Sequence, residues 1–576
     1  MAAVNLPRLI SIRHLARLAA LSVVVAACTP IAPNTGSSRG DTSTTRTTTT
    51  TTAPTSTEPA PRTCARSTAS SNPVSTGAPA TDAIFLSAEI FSCADEVVVA
   101  AETDINALAA GAQLAAAIGG PLLLPHPQLV AEIGRLKPLG VHIVGDLDVA
   151  LPSGIEVSHH GITEAVDEAK LALGVINELR LPALPDASTI VETVNAIAAR
   201  DRVVIPQTAP GDTTGEPAPI FNAAEIVAGL GVPSTAPAVW LVDASDPVTI
   251  LMAAATGQAV GAQIVAIDSN DILGYPEVGT AIGERPTESL RFVGSAPAVG
   301  EWELQVLLNG KQLPGGGFSI LGDEQPKRYV TFYGHPETPG LGVLGEQGPQ
   351  ETLERMAPFV AAYEADGFQT IPTFEMLASV AAADITDDGD YSFEWPIPTF
   401  TEWIEVAEQQ GAYVILDLQP GREDFLSQAK QYEELLLHPH VGLALDPEWR
   451  LKPDQIHLQQ VGRVDAAEVN QVVDWLADLV RDNGLPQKMI IVHQFRELMI
   501  QDRATLKERP ELQMVIQMDG QGPIFTKDET WAVLTAGTED NHWRWGWKNF
   551  FDEDSPTPSP EHTMGKDPVP IFVSYQ

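Results

Sequence analysis

An α/β fold in two parts is what this sequence predicts: a body built from repeated strand–helix–strand units, then eight strands alternating with helices. Three observations carry that expectation. Between residues 81 and 300, short apolar runs alternate with Ala-rich stretches. Between 329 and 576, eight further apolar runs are separated by amphipathic or loop-like segments. The chain has 576 residues, more than one hydrophobic core ordinarily supports.

The first elements belong to neither body. Arg8, Arg13 and Arg17 precede "LAALSVVVAAC", an apolar stretch ending in small residues. A positive segment, a short apolar core and a cleavage site make residues 1–27 a secretory signal, too short and wrongly flanked for a spanning helix. Val25-Ala26-Ala27-Cys28 resembles a bacterial lipobox. That resemblance implies lipidation of Cys28 and a membrane partner, since each buried acyl CH₂ contributes about 0.8 kcal/mol. Residues 28–80 are rich in Thr, Ser, Pro and Ala and have nothing to bury, so they read as a disordered linker. Extended at roughly 3.1 Å per residue, it reaches about 150 Å. Cys64 and Cys93 are the remaining cysteines. In an oxidising space they form an even pair suited to a disulfide, with two free thiols as the alternative. A formal net charge of −41 argues against a nucleic-acid partner and fits a dispersed extracytoplasmic body.

Within 81–300, "EVVVAAETDINALAAGAQLAAAIGGPLLL" (96–124) and "AVWLVDASDPVTILMAAATGQAVGAQIVAI" (238–267) have the same layout. Asp104 and Asp246 stand just before each helix, where a carboxylate accepts free N–H groups. Gly119 and Gly261 stand at the same distance beyond, as helix stops. Each unit runs on to another strand, "VHIVGD" (141–146) and "LRFVGS" (290–295), which points to an internal duplication. These features resemble the type 2 cell-wall-binding repeat of Gram-positive surface proteins. The resemblance implies non-covalent attachment to a cell-wall polysaccharide or anionic wall polymer. Two repeats are clear where that family uses three, and 150–235 departs from the pattern. Residues 301–328 read as a small β connector.

The eight later runs are "YVTFYG", "FQTIPTF", "AYVILDL", "VGLALD", "MIIVHQ", "QMVIQMD", "HWRWGWKNF" and "VPIFVSY". Helical stretches include "QETLERMAPFVAAYEADG" and "DAAEVNQVVDWLADLVRDNG", the latter opening with Asp465 and Glu468 at capping-box spacing. Eight alternating strands in 329–576 have the size and order of a TIM (β/α)8 barrel, whose function sits at the C-terminal ends of the strands. Those ends carry His335, Glu375, Asp417, Asp446, Glu448, His493 and Asp519.

Asp446 and Glu448, two apart at a strand end, are expected to face one cleft and push their proton affinities apart, as glycosidic cleavage requires. Glu448 is the expected general acid, Asp446 its orienting partner, and Asp417 or Asp519 the nucleophile or base. Glu375, His335, His493, Trp449 and Trp545 are expected to bind substrate, with the alternating Trp543, Trp545 and Trp547 offering one aromatic face to a sugar. Asp-x-Glu at a mid-barrel strand end resembles retaining glycosidase barrels, including chitinase-like and lysozyme-like families with the acid at this Glu. The longer chitinase-like signature needs acids where Val441 and Ala444 stand. "DITDDGDYSFEW" (384–395) is a near miss to a calcium loop, with Thr386 and Trp395 at ligand positions. No Cys/His cluster has zinc spacing and no Walker or dinucleotide glycine motif occurs, so neither a metal nor a cofactor is expected. The sequence thus reads as a lipid-anchored, wall-facing glycoside hydrolase, with a non-catalytic carbohydrate-binding protein as the alternative.

Overall fold

A computed structural model describes residues 64–67, 78–181, 187–206, 238–267, 272–273, 276–282, 289–295, 300–322, 326–539 and 541–576. The stretch read as a secretory signal, Cys28 and most of the Thr-rich stretch lie outside the described residues. No helix among the described residues is long and apolar enough to cross a membrane.

Cys64 and Cys93 form a disulfide, with Cα atoms 5.0 Å apart. It holds Cys64–Ser67, inside the stretch read as linker, against the folded body. Arg66 there donates to the Gly119 and Ala259 carbonyls at 2.6 and 3.1 Å.

The N-terminal strands are parallel. Glu96–Ala100 lies between Leu122–Leu123 and Gly140–Val144, with Glu156–His160 beyond. Ala238–Asp243 lies between Ala262–Ile267 and Ser289–Val293. Both sheets therefore place the first strand of their segment in the middle. A third, two-stranded pair joins Glu178–Leu181 to Val203–Pro206. Asp104 caps helix Ile105–Ile118 by accepting from Asn106 and Ala107 N–H groups, and Asp246 caps Pro247–Gln258 through Val248 N–H. Gly119 ends the first helix in the left-handed region at φ 69°. The second helix ends earlier, at Ala259, because tight turns from Val260 to Gly257 and from Gly261 to Gln258 intervene; Gly261 still takes φ 68°. Gly111 allows the helix to approach the sheet closely: a Cβ there would sit 2.8 Å from the Ala100 Cβ.

The connector is helical where β structure was expected. Glu301–Asn309 is an α-helix because Trp302, Val306 and Leu307 share a buried face and Gly310 stops it at φ 66°. Trp302 Nε1 donates to the Leu485 carbonyl at 2.9 Å, tying the helix to the second body.

That body is a closed barrel of eight parallel strands in chain order. We label them β1 (Lys327–Gly334), β2 (Gln369–Leu377), β3 (Tyr413–Leu418), β4 (Val441–Leu445), β5 (Lys488–Gln494), β6 (Leu512–Met518), β7 (Arg544–Asn549) and β8 (Phe572–Tyr575). Every expected strand is present. Side chains alternate between lumen and helix layer. Tyr329, Ile371, Tyr413, Ile415, Ala444, Met489, Ile491, Val515 and Phe572 fill the lower lumen, and Leu313 and Ile320 of the connector plug it from below. The β5–β6 connection holds two 3₁₀ turns, Glu497–Met499 and Arg503–Thr505, and the short strand Ile500–Gln501 paired with Val464–Asp465, where its neighbours carry α-helices. Asp465 precedes helix Ala466–Asp482 without a side-chain cap, so the expected capping box does not form. Glu468 turns instead to Arg450, 2.7 Å away.

Candidate active site at the barrel mouth

Counting by twos up each strand from the apolar lower lumen ends on a polar side chain at the mouth of every strand. Tyr333 comes from β1, Glu375 from β2, Asp417 from β3, His493 from β5, Lys548 from β7 and Ser574 from β8. Asp446 and Asp519 follow the last residues of β4 and β6. All eight are buried.

His493 sits at the centre. Its Nε2 lies 3.1 Å from Glu375 Oε1, and the second Glu375 oxygen accepts from Ser574 Oγ at 2.7 Å. Its Nδ1 lies 3.3 Å from Asp519 Oδ2 and 3.9 Å from Asp446 Oδ2, without a hydrogen-bond partner. Asp417 Oδ2 accepts from Tyr333 OH at 2.9 Å, and the Lys548 ammonium stands 3.4 Å from the Tyr333 ring centre. Asp417 Oδ1, Asp519 Oδ1 and both amide atoms of Gln517, one lumen layer below Asp519, have no hydrogen-bond partner.

Burial and crowding set the protonation states. Burial pushes Asp446 well above the ordinary carboxylate range, with Asp417 and Asp519 adding to it against the pull of His493. Burial also raises Asp417. For His493, burial disfavours charge, but Asp417, Asp519, Glu375 and Asp446 outweigh it and hold the imidazolium well above its usual pKa.

Glu448 departs from the strand geometry expected of it. Pro447–Trp449 is a 3₁₀ turn beyond β4, so Glu448 is carried out of the lumen axis on that turn. Asp446 Oδ1 caps it by accepting from Glu448 N–H at 3.1 Å. The two carboxylates still converge: Asp446, Glu448 and Asp519 each place an oxygen within 4.8 Å of the others. Glu448 is only partly buried, which makes it the edge of the cluster that solvent reaches. Burial first, then Asp519, pushes it up to about 7.

The remaining candidates fall elsewhere. His335 is buried against Trp395, ring centres 4.0 Å apart, and burial lowers its pKa to about 4. Trp449 is half-buried and meets His457 edge-on at 5.3 Å. Trp545 does not reach the mouth: it is 3% exposed on the outer face of β7, packed on Trp531 at 5.6 Å. Trp547, two along, packs on the same ring at 5.5 Å, so this aromatic face serves the helix layer and not a sugar. In 384–395, Thr386 Oγ1 donates to Asp388 and Asp390, and those acids come together with Glu394. Lys548, Ser574 and Gln517 were missed. The period of two back from each strand end was the available signal, hidden in β7 by the tryptophans and in β8 by a small side chain.

No family model matches this sequence, and no curated protein matches it. Solved structures with some likeness include two Clostridium difficile cell-wall proteins. Cwp6 is 11% identical, with 60% of this chain and 62% of that chain covered and a TM-score of 0.31. Cwp8 is 16% identical, with 39% and 49% covered and a TM-score of 0.29. This chain spans less than two thirds of either, and likeness at that level carries no argument about function.

Proposed function

We propose that the barrel is a glycoside hydrolase acting on cell-wall or extracellular polysaccharide. One observation carries the reading: at the solvent-reached edge of the mouth, Glu448 and Asp519 bring carboxylate oxygens within 4.8 Å of each other. Retaining glycosidases hold their two carboxyl groups about 5–5.5 Å apart, and inverting ones about 6.5–9.5 Å. Glu448 is the acid, giving its proton to the leaving oxygen as the anomeric C–O bond breaks. Asp519 attacks the anomeric carbon, and water then releases the sugar, returning its proton to Glu448. Asp446 fixes the turn that carries Glu448. Asp417, tied to Tyr333 deeper in the lumen, is the less suitable nucleophile.

The location follows the same reading: a lipid on Cys28 holds the protein at the extracytoplasmic face of the membrane, and the linker carries the bodies into the wall. The N-terminal body, derived by duplication of its strand–helix–strand unit, grips wall polymer. A non-catalytic carbohydrate-binding role is favoured by one feature, the near-complete burial of Asp417, Asp446 and His493. Product stereochemistry separates the two. Proton NMR of fresh digests of wall polysaccharide should show retained anomeric configuration. Inversion would remove Asp519 as nucleophile, and no release from any wall or extracellular polysaccharide would leave the binding role.

A further inference from the structure

The geometry points to a divalent transition-metal site in the barrel lumen, with Asp417, Asp446 and His493 as its ligands. These three each place one donor atom within 4.8 Å of the others, and all are buried. Acid clusters are common without ions, so the weight rests on the histidine. The His493 ring is 0% exposed, and its Nδ1 lies 3.3 Å from Asp519 Oδ2 and 3.9 Å from Asp446 Oδ2 without hydrogen-bond geometry to either, so an ion bound there would replace the imidazolium proton. The opposite nitrogen is held by Glu375, which is itself held by Ser574. A metal-ligating histidine ordinarily has this support: a carboxylate on one ring nitrogen fixes the ring and aims the other at the ion. The neighbouring oxygens Asp417 Oδ1 and Asp519 Oδ1 also lack partners.

Donor chemistry selects the ion. Calcium takes six to eight oxygens, whereas one imidazole with two carboxylates suits zinc or manganese. Bond lengths of about 2.0–2.2 Å place tetrahedral ligands roughly 3.4 Å apart, so small side-chain movements close the set. The ligands come from three different strands, so no local sequence spacing announces them, contrary to the expectation of no metal. The inference does not require glycan cleavage: Glu448 and Asp519 lie outside the proposed ligand set, and the shared residue Asp446 caps the Glu448 turn through Oδ1 while its Oδ2 is the oxygen that faces His493.

The test uses the full chain, stripped with chelator and dialysed against zinc, manganese or calcium chloride, with bound metal counted by mass spectrometry. One equivalent of zinc or manganese per chain is expected. His493→Gln should weaken binding at least tenfold, and Glu375→Gln, which only positions the ring, should weaken it about 10- to 100-fold. His160→Ala, at the His142–His160 contact in the N-terminal body, should leave the lumen equivalent in place. Because a ligand variant can fail to fold, cobalt(II) is also added to the wild-type chain, where visible d–d bands of a mixed nitrogen–oxygen site are expected. Absence of those bands, a preference for calcium, or zinc binding lost with His160→Ala would each overturn the site. Metal bound without glycan cleavage would sustain it while removing the hydrolase reading; cleavage by a chain that binds no metal would do the reverse.

Discussion

Removing Glu375 should destabilise the barrel more than any single change at its surface. The side chain is 0% exposed and engages both His493 Nε2, at 3.1 Å, and Ser574 Oγ, at 2.7 Å. Alanine leaves two buried donors unpaired, at about 1–3 kcal/mol each. It also strips a counter-charge from a buried imidazolium, and breaking such a pair costs about 3–5 kcal/mol. The two figures describe the same loss, so about 3–5 kcal/mol is the expectation. For a body of this size each kcal/mol moves the midpoint by about 2–4 °C, giving roughly 6–20 °C. Glutamine keeps an oxygen for His493 and an amide for Ser574 and should lose only about 1–2 kcal/mol. The assay is thermal unfolding of the chelator-stripped chain, in which His493 keeps its proton, by tryptophan fluorescence at pH 6. There His493 contributes fully, because a raised folded pKa adds stability below the unfolded pKa and loses it as pH climbs through the folded one. An alanine variant melting at the wild-type midpoint would refute the idea that Glu375 holds His493.

Lys488, the first residue of β5, is buried, its ammonium donating to the His438 and Val441 carbonyls, and burial lowers its pKa to about 7. Its unfolded form binds more protons between pH 7 and about 10.5, so wild-type stability should rise with pH across that window by a few kcal/mol relative to Lys488→Met; parallel pH profiles in urea unfolding would contradict this. The Cys64–Cys93 bond closes a loop of sequence separation 29, worth about 3.5 kcal/mol of chain entropy, so reduction should lower the midpoint of the N-terminal body, and an unchanged midpoint would count against it. Cys28→Ala should move the protein from the membrane fraction to the soluble one, and an unchanged distribution would remove the lipid anchor.

Much of the fold was legible because its signals are local. The eight barrel strands each announce themselves as an apolar run, and Asp104 and Asp246 mark their helices by capping. Most of the mouth was legible for a related reason: a polar residue ending an apolar strand has only the C-terminal face to occupy, which located Glu375, Asp417, Asp446, His493 and Asp519. Three things were not local. Trp545 points outward because β7 alternates with Gly546 and Lys548 inward, a parity fixed by strand pairing with Val515 and Gln517. Glu468 abandoned its cap for Arg450, a residue 18 positions away. The Glu375–Ser574 contact spans 199 positions and exists only when the barrel closes.

The most direct test of the hydrolytic site is the turnover of Glu448→Gln. Glutamine keeps the shape of the side chain on the Pro447–Trp449 turn and removes the proton that a departing sugar oxygen needs. A positioned acid contributes about 10²- to 10⁴-fold, so on a polysaccharide that the wild-type chain cleaves, release of reducing ends should fall at least about a hundredfold while binding persists. Turnover equal to wild type would make Glu448 a structural residue of the mouth and leave the barrel without its acid.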